Sequence, residues 1–102
     1  MQIKSKSDNG KIYIFFDGEL DEYSARETRD RIDEIVDKNS NAKCLIFDFS
    51  NMDFMDSTGI GVLLGRYRKL KKCGIPTYIQ NPNFSINKIL QISGIYDIMP
   101  KI

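Results

Sequence analysis

Phe54-Met55-Asp56-Ser57-Thr58-Gly59-Ile60-Gly61 is the segment of the 102-residue chain whose residue types and spacing could do chemistry. It joins an apolar run to a stretch of helical periodicity. Open α/β sheets place ligands and reactive groups at such strand-to-helix junctions. Two readings of its polar residues stay open on the residues alone. Asp56 or Ser57 can cap the helix, as Asp, Ser and Thr commonly do. Alternatively, Ser57 is an accessible hydroxyl offered to another enzyme, and its phosphate would meet the positive end of the helix. Phe54 and Met55 are apolar in a loop, so they either tuck under the helix or face a partner. Gly59 and Gly61 each cost a helix about 1 kcal/mol against alanine, which predicts a close approach at these positions.

Several named motifs fail at this junction. Gly59-x-Gly61 has Leu64 where a dinucleotide fingerprint needs its third glycine. No Gly-Lys-Ser or Gly-Lys-Thr occurs, so there is no Walker A loop. Met55 stands where a nucleophile elbow needs glycine. Gly61-x-x-x-Gly65 means only close packing outside a membrane.

Composition narrows the chemistry further. The chain has 15 Lys+Arg, 14 Asp+Glu, a formal net charge of +1 and no histidine. A Ser-His-Asp or Cys-His nucleophile system is therefore excluded. So is a zinc site that needs histidine, and two cysteines are too few for an all-thiolate one. No catalytic residue, metal ligand or cofactor is assigned. Bulk attraction to nucleic acid is not expected at this charge. Arg66-Tyr67-Arg68-Lys69-Leu70-Lys71-Lys72 carries five basic residues in seven. It reads as a solvated face with cations well placed at a helix C-terminus, or as a dock for an acidic patch. Cys44 and Cys73 lie 29 positions apart; Cys44 sits in an apolar run and reads as a buried, reduced thiol. Met1 to Lys6 lacks the apolar core of a signal peptide. No apolar stretch approaches the roughly 18 residues of a membrane span. A cytoplasmic protein is expected.

The elements that must position the junction follow from periodicity. The length predicts a single domain, residues 1–102. Asp8-Asn9-Gly10 between extended runs (Ile3 to Ser7, Lys11 to Phe16) predicts a hairpin, because a type I′ turn needs positive φ at both central residues. Both faces of the second run are apolar, which predicts cover on at least part of each. Asp17 to Asp21 reads as a loop, and Glu22 to Lys38 as a helix with Ala25, Thr28 or Arg29, Ile32, Ile35 and Val36 as its apolar stripe. Ala42 to Phe49 reads as a central strand buried on both faces. The helix after Asp56 runs to about Cys73, with Ile60, Leu63, Leu64, Tyr67 and Leu70 inward and Gly74 as its stop. Pro76 to Gln80 is a short strand. Ser85 begins a third helix ending at Gly94, and Tyr96 to Met99 is a last extended piece. The order β-β-α-β-α-β-α-β implies right-handed crossovers and a mixed, largely parallel α/β sheet of four to five strands.

Asp48 to Leu70 resembles the anti-sigma factor antagonists with a STAS domain, through the run Met55-Asp56-Ser57-Thr58-Gly59-Ile60-Gly61 and the helix after it. Gly18-Glu19-Leu20-Asp21 is similar to that family's loop before the first helix, and Ile92-Ser93-Gly94-Ile95 to the end of its third. The likeness covers about Lys11 to Met99, and the sporulation members that antagonise the anti-sigma F factor are the most similar group. The resemblance implies a sheet with helices mainly on one face. It also implies a partner-switching role. The unphosphorylated protein binds an anti-sigma factor that is a serine kinase and so frees a sigma factor. The kinase phosphorylates the residue matching Ser57, and a metal-dependent serine phosphatase restores it. Asp21, Asp56, Thr58, Gly59, Ile60 and Gly61 match positions lining that site. A general-stress pathway with another kinase is the neighbouring alternative, and a nucleotide-binding module at the Ser57 helix N-terminus the more distant one. No nucleic acid, no membrane, and a monomer or weak dimer are expected. Members of the family continue into a further helix after the last strand. Its absence before Ile102 predicts an exposed apolar strip, a compensating dimer or a shortened chain.

Overall fold

A computed structural model describes residues 1–102. The hairpin forms as the Asn-Gly signal requires. Asn9 (φ 53°) and Gly10 (φ 83°) both take positive φ and join β1 (Gln2–Asp8) to β2 (Lys11–Leu20) with Asp8 opposite Lys11. Then follow α1 (Ala25–Lys38), β3 (Cys44–Met55), α2 (Ser57–Lys72), β4 (Thr77–Gln80) and α3 (Phe84–Ser93). The sheet order is β1-β2-β3-β4; the first pair is antiparallel and the other two are parallel. This is the mixed, largely parallel α/β sheet that the element order predicts.

Ile12, Ile14 and Phe16 of β2 meet Leu45, Phe47 and Phe49 of β3 and Ile79 of β4 in one core with the apolar stripes of all three helices. Phe16 stands edge-on to Phe47 and Phe49, at ring centroid distances of 5.6 and 5.1 Å, a favoured aromatic geometry. Alternate residues point to the other face. Tyr13 and Phe15 are half-buried there, and Ile46 is the buried apolar residue that stands apart from the core. The expected double cover of β2 is thus supplied on that side by neighbouring side chains. Cys44 shares this face and is only half-buried, and both cysteines are free thiols. Within α2, Leu63 and Leu70 are fully buried, Ile60, Leu64 and Tyr67 pack at the core's edge, and Val62 points inward as well.

The structure corrects several boundaries. The expected loop Asp17 to Asp21 is mostly strand, because Asp17 to Leu20 pair with Asn51 to Met55 across two register shifts. Gly18 absorbs one irregularity at φ 118°, a value that only glycine adopts easily. The same pairing lengthens β3 past Phe49 through four polar or exposed positions. α1 begins at Ala25, because Asp21 and Ser24 form a tight turn before it. Asp21 Oδ1 accepts from Tyr23 N and Ser24 N (2.9 and 3.0 Å), and Ser24 Oγ donates to Glu19 O at 2.7 Å. Asn83, not Ser85, caps α3, its Oδ1 accepting from Ile86 N at 2.9 Å.

Tyr96 to Met99 is not a strand. Ile95–Asp97 is a 3₁₀ turn, and the fifth strand shrinks to one bridge between Ile79 and Lys101. Ile95 and Met99 are both buried, four residues apart, with Met99 N donating to Ile95 O at 2.8 Å. That spacing suits a helical turn and would put both on one strand face only with the intervening residues extended. Ile98 and Ile102 remain exposed, beside a groove lined by Tyr67, Ile75, Pro76, Tyr78 and Pro100.

Candidate functional site

β3 delivers the chain to the Ser57 junction, and β2 fixes where it turns. Leu20 and Met55 are paired positions in the parallel ladder, and Asp56 N donates to Leu20 O at 3.3 Å. Asp21 and Asp56 therefore leave adjacent strands side by side, at an interstrand spacing of about 5 Å. Met55 is buried and Phe54 is 48% exposed, so one apolar residue tucks under the helix and the other faces outward.

Asp56 is the helix cap. Its backbone is extended, and Oδ1 accepts from Thr58 N (2.9 Å) and Gly59 N (3.2 Å). A cap of this kind contributes about 1 kcal/mol. Ser57 is the first helical residue, exposed, with no side-chain hydrogen bond. This sorts the two roles: Asp56 caps and Ser57 is free. At the helix's positive end, where a phosphate on Ser57 would lie, Asp56 already engages the amides of Thr58 and Gly59.

The two glycines differ. A Cβ on Gly59 would lie 2.6 Å from Met55 Cγ and 3.0 Å from Leu20 O, so the close approach is real there. A Cβ on Gly61 or Gly65 would meet nothing within 4 Å. The expected close approach at Gly61 is therefore absent; that glycine is exposed, and with Gly65 and Thr58 it lines a groove between α1 and α2. Thr58 and Gly61 are exposed beside Ser57, while Ile60 is half-buried against the core.

Two of the five basic residues in the run of α2 pair with α1, and Arg68, Lys71 and Lys72 form no ion pair. Arg66 Nε lies 3.2 Å from Asp33, and Lys69 Nζ lies 3.5 Å from Asp33 and 3.0 Å from Asp37. On α1 itself, Glu34 pairs with Arg31 and Lys38, whereas Glu27 meets the N-terminal ammonium.

Asp48 is a polar residue that the sequence reading passed over inside the apolar run of β3. It is 4% exposed. Oδ1 accepts from Ser50 N (2.9 Å) and Ser50 Oγ (2.6 Å), and Oδ2 from Gln80 (2.8 Å) and Asn81 (3.1 Å). The signal was one carboxylate within a hydrophobic strand. Asp48 ties the end of β4 to β3 and holds Asn81 at φ 59°, which sets the course of the chain into α3. Burial alone would raise its carboxyl, but the hydrogen bonds from Ser50, Gln80 and Asn81 outweigh burial and hold it below the ordinary 3.8. A depressed carboxyl contributes stability that is complete above the unfolded value and lost as pH falls through the folded one. The stability gap between wild type and Asp48→Asn, from urea denaturation, should thus be widest near pH 6 and shrink below about pH 4. A gap that does not change with pH would exclude this role.

Residues 2–102 match the STAS domain family model. The anti-sigma F factor antagonist of Paenibacillus polymyxa is 30% identical over 100 residues, covering 98% of this chain and 85% of that one. The anti-sigma factor antagonist SpoIIAA in its unphosphorylated form superposes with a TM-score of 0.80 at 27% identity, over 99% of this chain and 88% of that one. The phosphorylated form of the Bacillus cell fate determinant SpoIIAA gives 0.72 at 27% identity, over 99% and 91%. With its four-stranded sheet and three helices matching the same fold, the chain belongs to the STAS domain family.

Proposed function

We propose that this chain is an anti-sigma factor antagonist of the partner-switching kind, with Ser57 as its phosphorylation site. The observation that carries this reading is an exposed serine at the first position of α2 whose hydroxyl has no partner, beside an aspartate that already caps the helix. Such a hydroxyl is free to move into another protein's active site without unravelling α2. The relatives named as anti-sigma factor antagonists support the same role.

In this reading the unphosphorylated chain binds an anti-sigma factor that is a serine kinase, and the sigma factor is released. Asp21, Asp56, Ser57, Thr58, Gly59, Ile60 and Gly61 form or support the contact. The γ-phosphoryl group passes from ATP to Ser57 Oγ, ADP leaves, and the hydroxyl proton goes to a base on the kinase. A metal-dependent serine phosphatase hydrolyses the phosphoester and restores the binding form. The chain is the substrate and needs no catalytic base or cofactor of its own. It works as a monomer or weak dimer in the cytoplasm, without contacting nucleic acid. No helix is long and apolar enough to cross a membrane.

The alternative of a nucleotide-binding module is disfavoured by Asp56, whose carboxylate sits where a phosphate would need the amides of Thr58 and Gly59. Intact mass after incubation with the cognate kinase and ATP tests the proposal. One added phosphate, mapped to Ser57 and absent from Ser57→Ala, is expected. No phosphate, or one on another residue, would remove Ser57 from its central place.

A further inference from the structure

The net charge of +1 conceals a separation. Residues 17–23, 50–57 and 80–85 lead out of, or lie at, the C-terminal ends of β2, β3 and β4, and so share one edge of the sheet. They hold six of the 14 acidic residues (Asp17, Glu19, Asp21, Glu22, Asp53 and Asp56) and none of the 15 basic ones. That edge therefore carries −6 and the rest of the chain +7. The ion pairs of the fold use other carboxylates, those of Glu27, Asp33, Glu34 and Asp37.

Large apolar side chains protrude at the same edge. Tyr23, in the turn after β2, is 88% exposed, Phe54 at the end of β3 is 48% exposed, and Phe84 at the start of α3 is 83% exposed. They belong to three different connections that the fold ties together. Glu19 and Phe54 are paired in the ladder, and Asn83, next to Phe84, donates to Met52 O at 3.1 Å. The three side chains thus belong to connections tied to the last residues of β3, which lead into the junction that carries Ser57. Exposed aromatics contribute nothing to this chain's own core, and aromatics are the side chains most often found as energetic anchors of interfaces.

We infer that this edge docks a basic partner surface with apolar sockets for Tyr23, Phe54 and Phe84. The charge pattern selects the partner: the one cation near this edge is the N-terminal ammonium, which Glu27 holds at 3.5 Å, so an edge with six carboxylates and no lysine or arginine repels acidic surfaces and attracts a lysine- or arginine-rich one. The aromatics hold the complex once formed, and the carboxylates speed its formation. The inference rests on the partner-switching reading, with the anti-sigma factor kinase as the basic partner.

The test measures association and dissociation rates of the full chain on each anti-sigma factor kinase encoded in its own genome, immobilised one at a time, with phosphorylation of Ser57 followed in parallel. The association rate should fall about tenfold between 20 and 500 mM NaCl as screening shortens the field. Tyr23→Ala, Phe54→Ala and Phe84→Ala should each raise the dissociation rate by about tenfold, with little effect on association. Asp30→Asn, exposed on α1 and outside the edge, should change neither. If Ser57 is phosphorylated but association ignores salt, or the alanine variants dissociate like wild type, the docking surface is wrong while the partner-switching reading stands. If no kinase binds the chain or modifies Ser57, that reading fails and the docking surface with it.

Discussion

Gly59→Ala is expected to destabilise the protein by about 2 kcal/mol, while Gly61→Ala, two residues on, stabilises it by about 1 kcal/mol. Both substitutions gain the roughly 1 kcal/mol by which alanine exceeds glycine in a helix. They differ in what the new methyl meets. At Gly59 it falls 2.6 Å from Met55 Cγ, 3.0 Å from Leu20 O and 3.1 Å from Leu20 Cγ. Leu20 and Met55 are 0% and 1% exposed, so neither side chain has space to retreat. Leu20 O is backbone and accepts from Asp56 N, so moving it shifts the cap of α2. Overpacking of this kind costs about 1–3 kcal/mol, and a rigid backbone neighbour puts Gly59 at the upper end. At Gly61 nothing lies within 4 Å, so only the helix gain remains. Thermal unfolding should place Gly59→Ala about 10 °C below wild type and Gly61→Ala about 5 °C above it. Equal shifts of the same sign would mean that α2 does not seat on β2 and β3 as described.

That contrast marks what the sequence made legible. Glycine at 59 and at 61 looks alike in one dimension, because helix propensity penalises both equally. Only the positions of Leu20 and Met55 separate them, and these come from the parallel pairing of β2 with β3. The same pairing explains why Asp17 to Leu20 read as a loop. Its residues are polar and carry a glycine, and strand structure there depends on hydrogen bonds to a segment more than 30 positions away. Elements dictated by local chemistry were legible: the Asn-Gly turn, the stripe of α1, and the start of α2. The last segment was not. Ile95 and Met99 point into the core from one turn, a demand set by tertiary packing that local propensity does not encode. At the site, the place of Ser57 at a helix start left cap and phosphate acceptor both open, and the resemblance to the anti-sigma factor antagonists pointed to it as acceptor. On the residues alone, Asp56 and Ser57 could not be told apart as cap and acceptor until the hydrogen bonds assigned the amides to Asp56. Asp48 was hidden because its partners, Gln80 and Asn81, lie 32 and 33 positions on. Tyr23 and Phe84 were passed over because an aromatic residue in a sequence reads by default as core.

Phosphate on Ser57 is expected to weaken kinase binding by about 10⁴-fold, the factor that carries an equilibrium from nearly all bound to nearly all free, or about 5.5 kcal/mol. The group adds about −1.5 to −2 charge at neutral pH. At the helix terminus it competes with Asp56, which already holds the amides of Thr58 and Gly59. It therefore projects into the interface beside the carboxylate of Asp56, on an edge that already carries Asp21 and Glu19. In the proposed reaction Ser57 enters the kinase's active site, where it faces the phosphates of the bound nucleotide and not the basic docking surface; a phosphate desolvated there without a paired cation costs several kcal/mol, so occlusion supplies most of the required energy. No refolding is needed, since Asp56 caps α2 and Gly59 seats it, and neither contact uses the Ser57 hydroxyl. The unphosphorylated and phosphorylated forms of SpoIIAA both share this fold, at TM-scores of 0.80 and 0.72. Amide chemical-shift changes on phosphorylation should be confined to the turns around residues 19–24 and 53–62. A displaced α2 in the phosphorylated protein would overturn direct occlusion. Ser57→Ala should bind the kinase permanently, because it leaves the site uncharged. Ser57→Asp should bind with intermediate affinity, having one charge and a shorter reach. The kinetics separate occlusion from long-range repulsion. A basic partner is drawn to the edge whether or not Ser57 carries phosphate, so the association rate should hold steady while dissociation accelerates. A fall confined to the association rate would mean that the phosphate acts at a distance and that the partner surface is not basic.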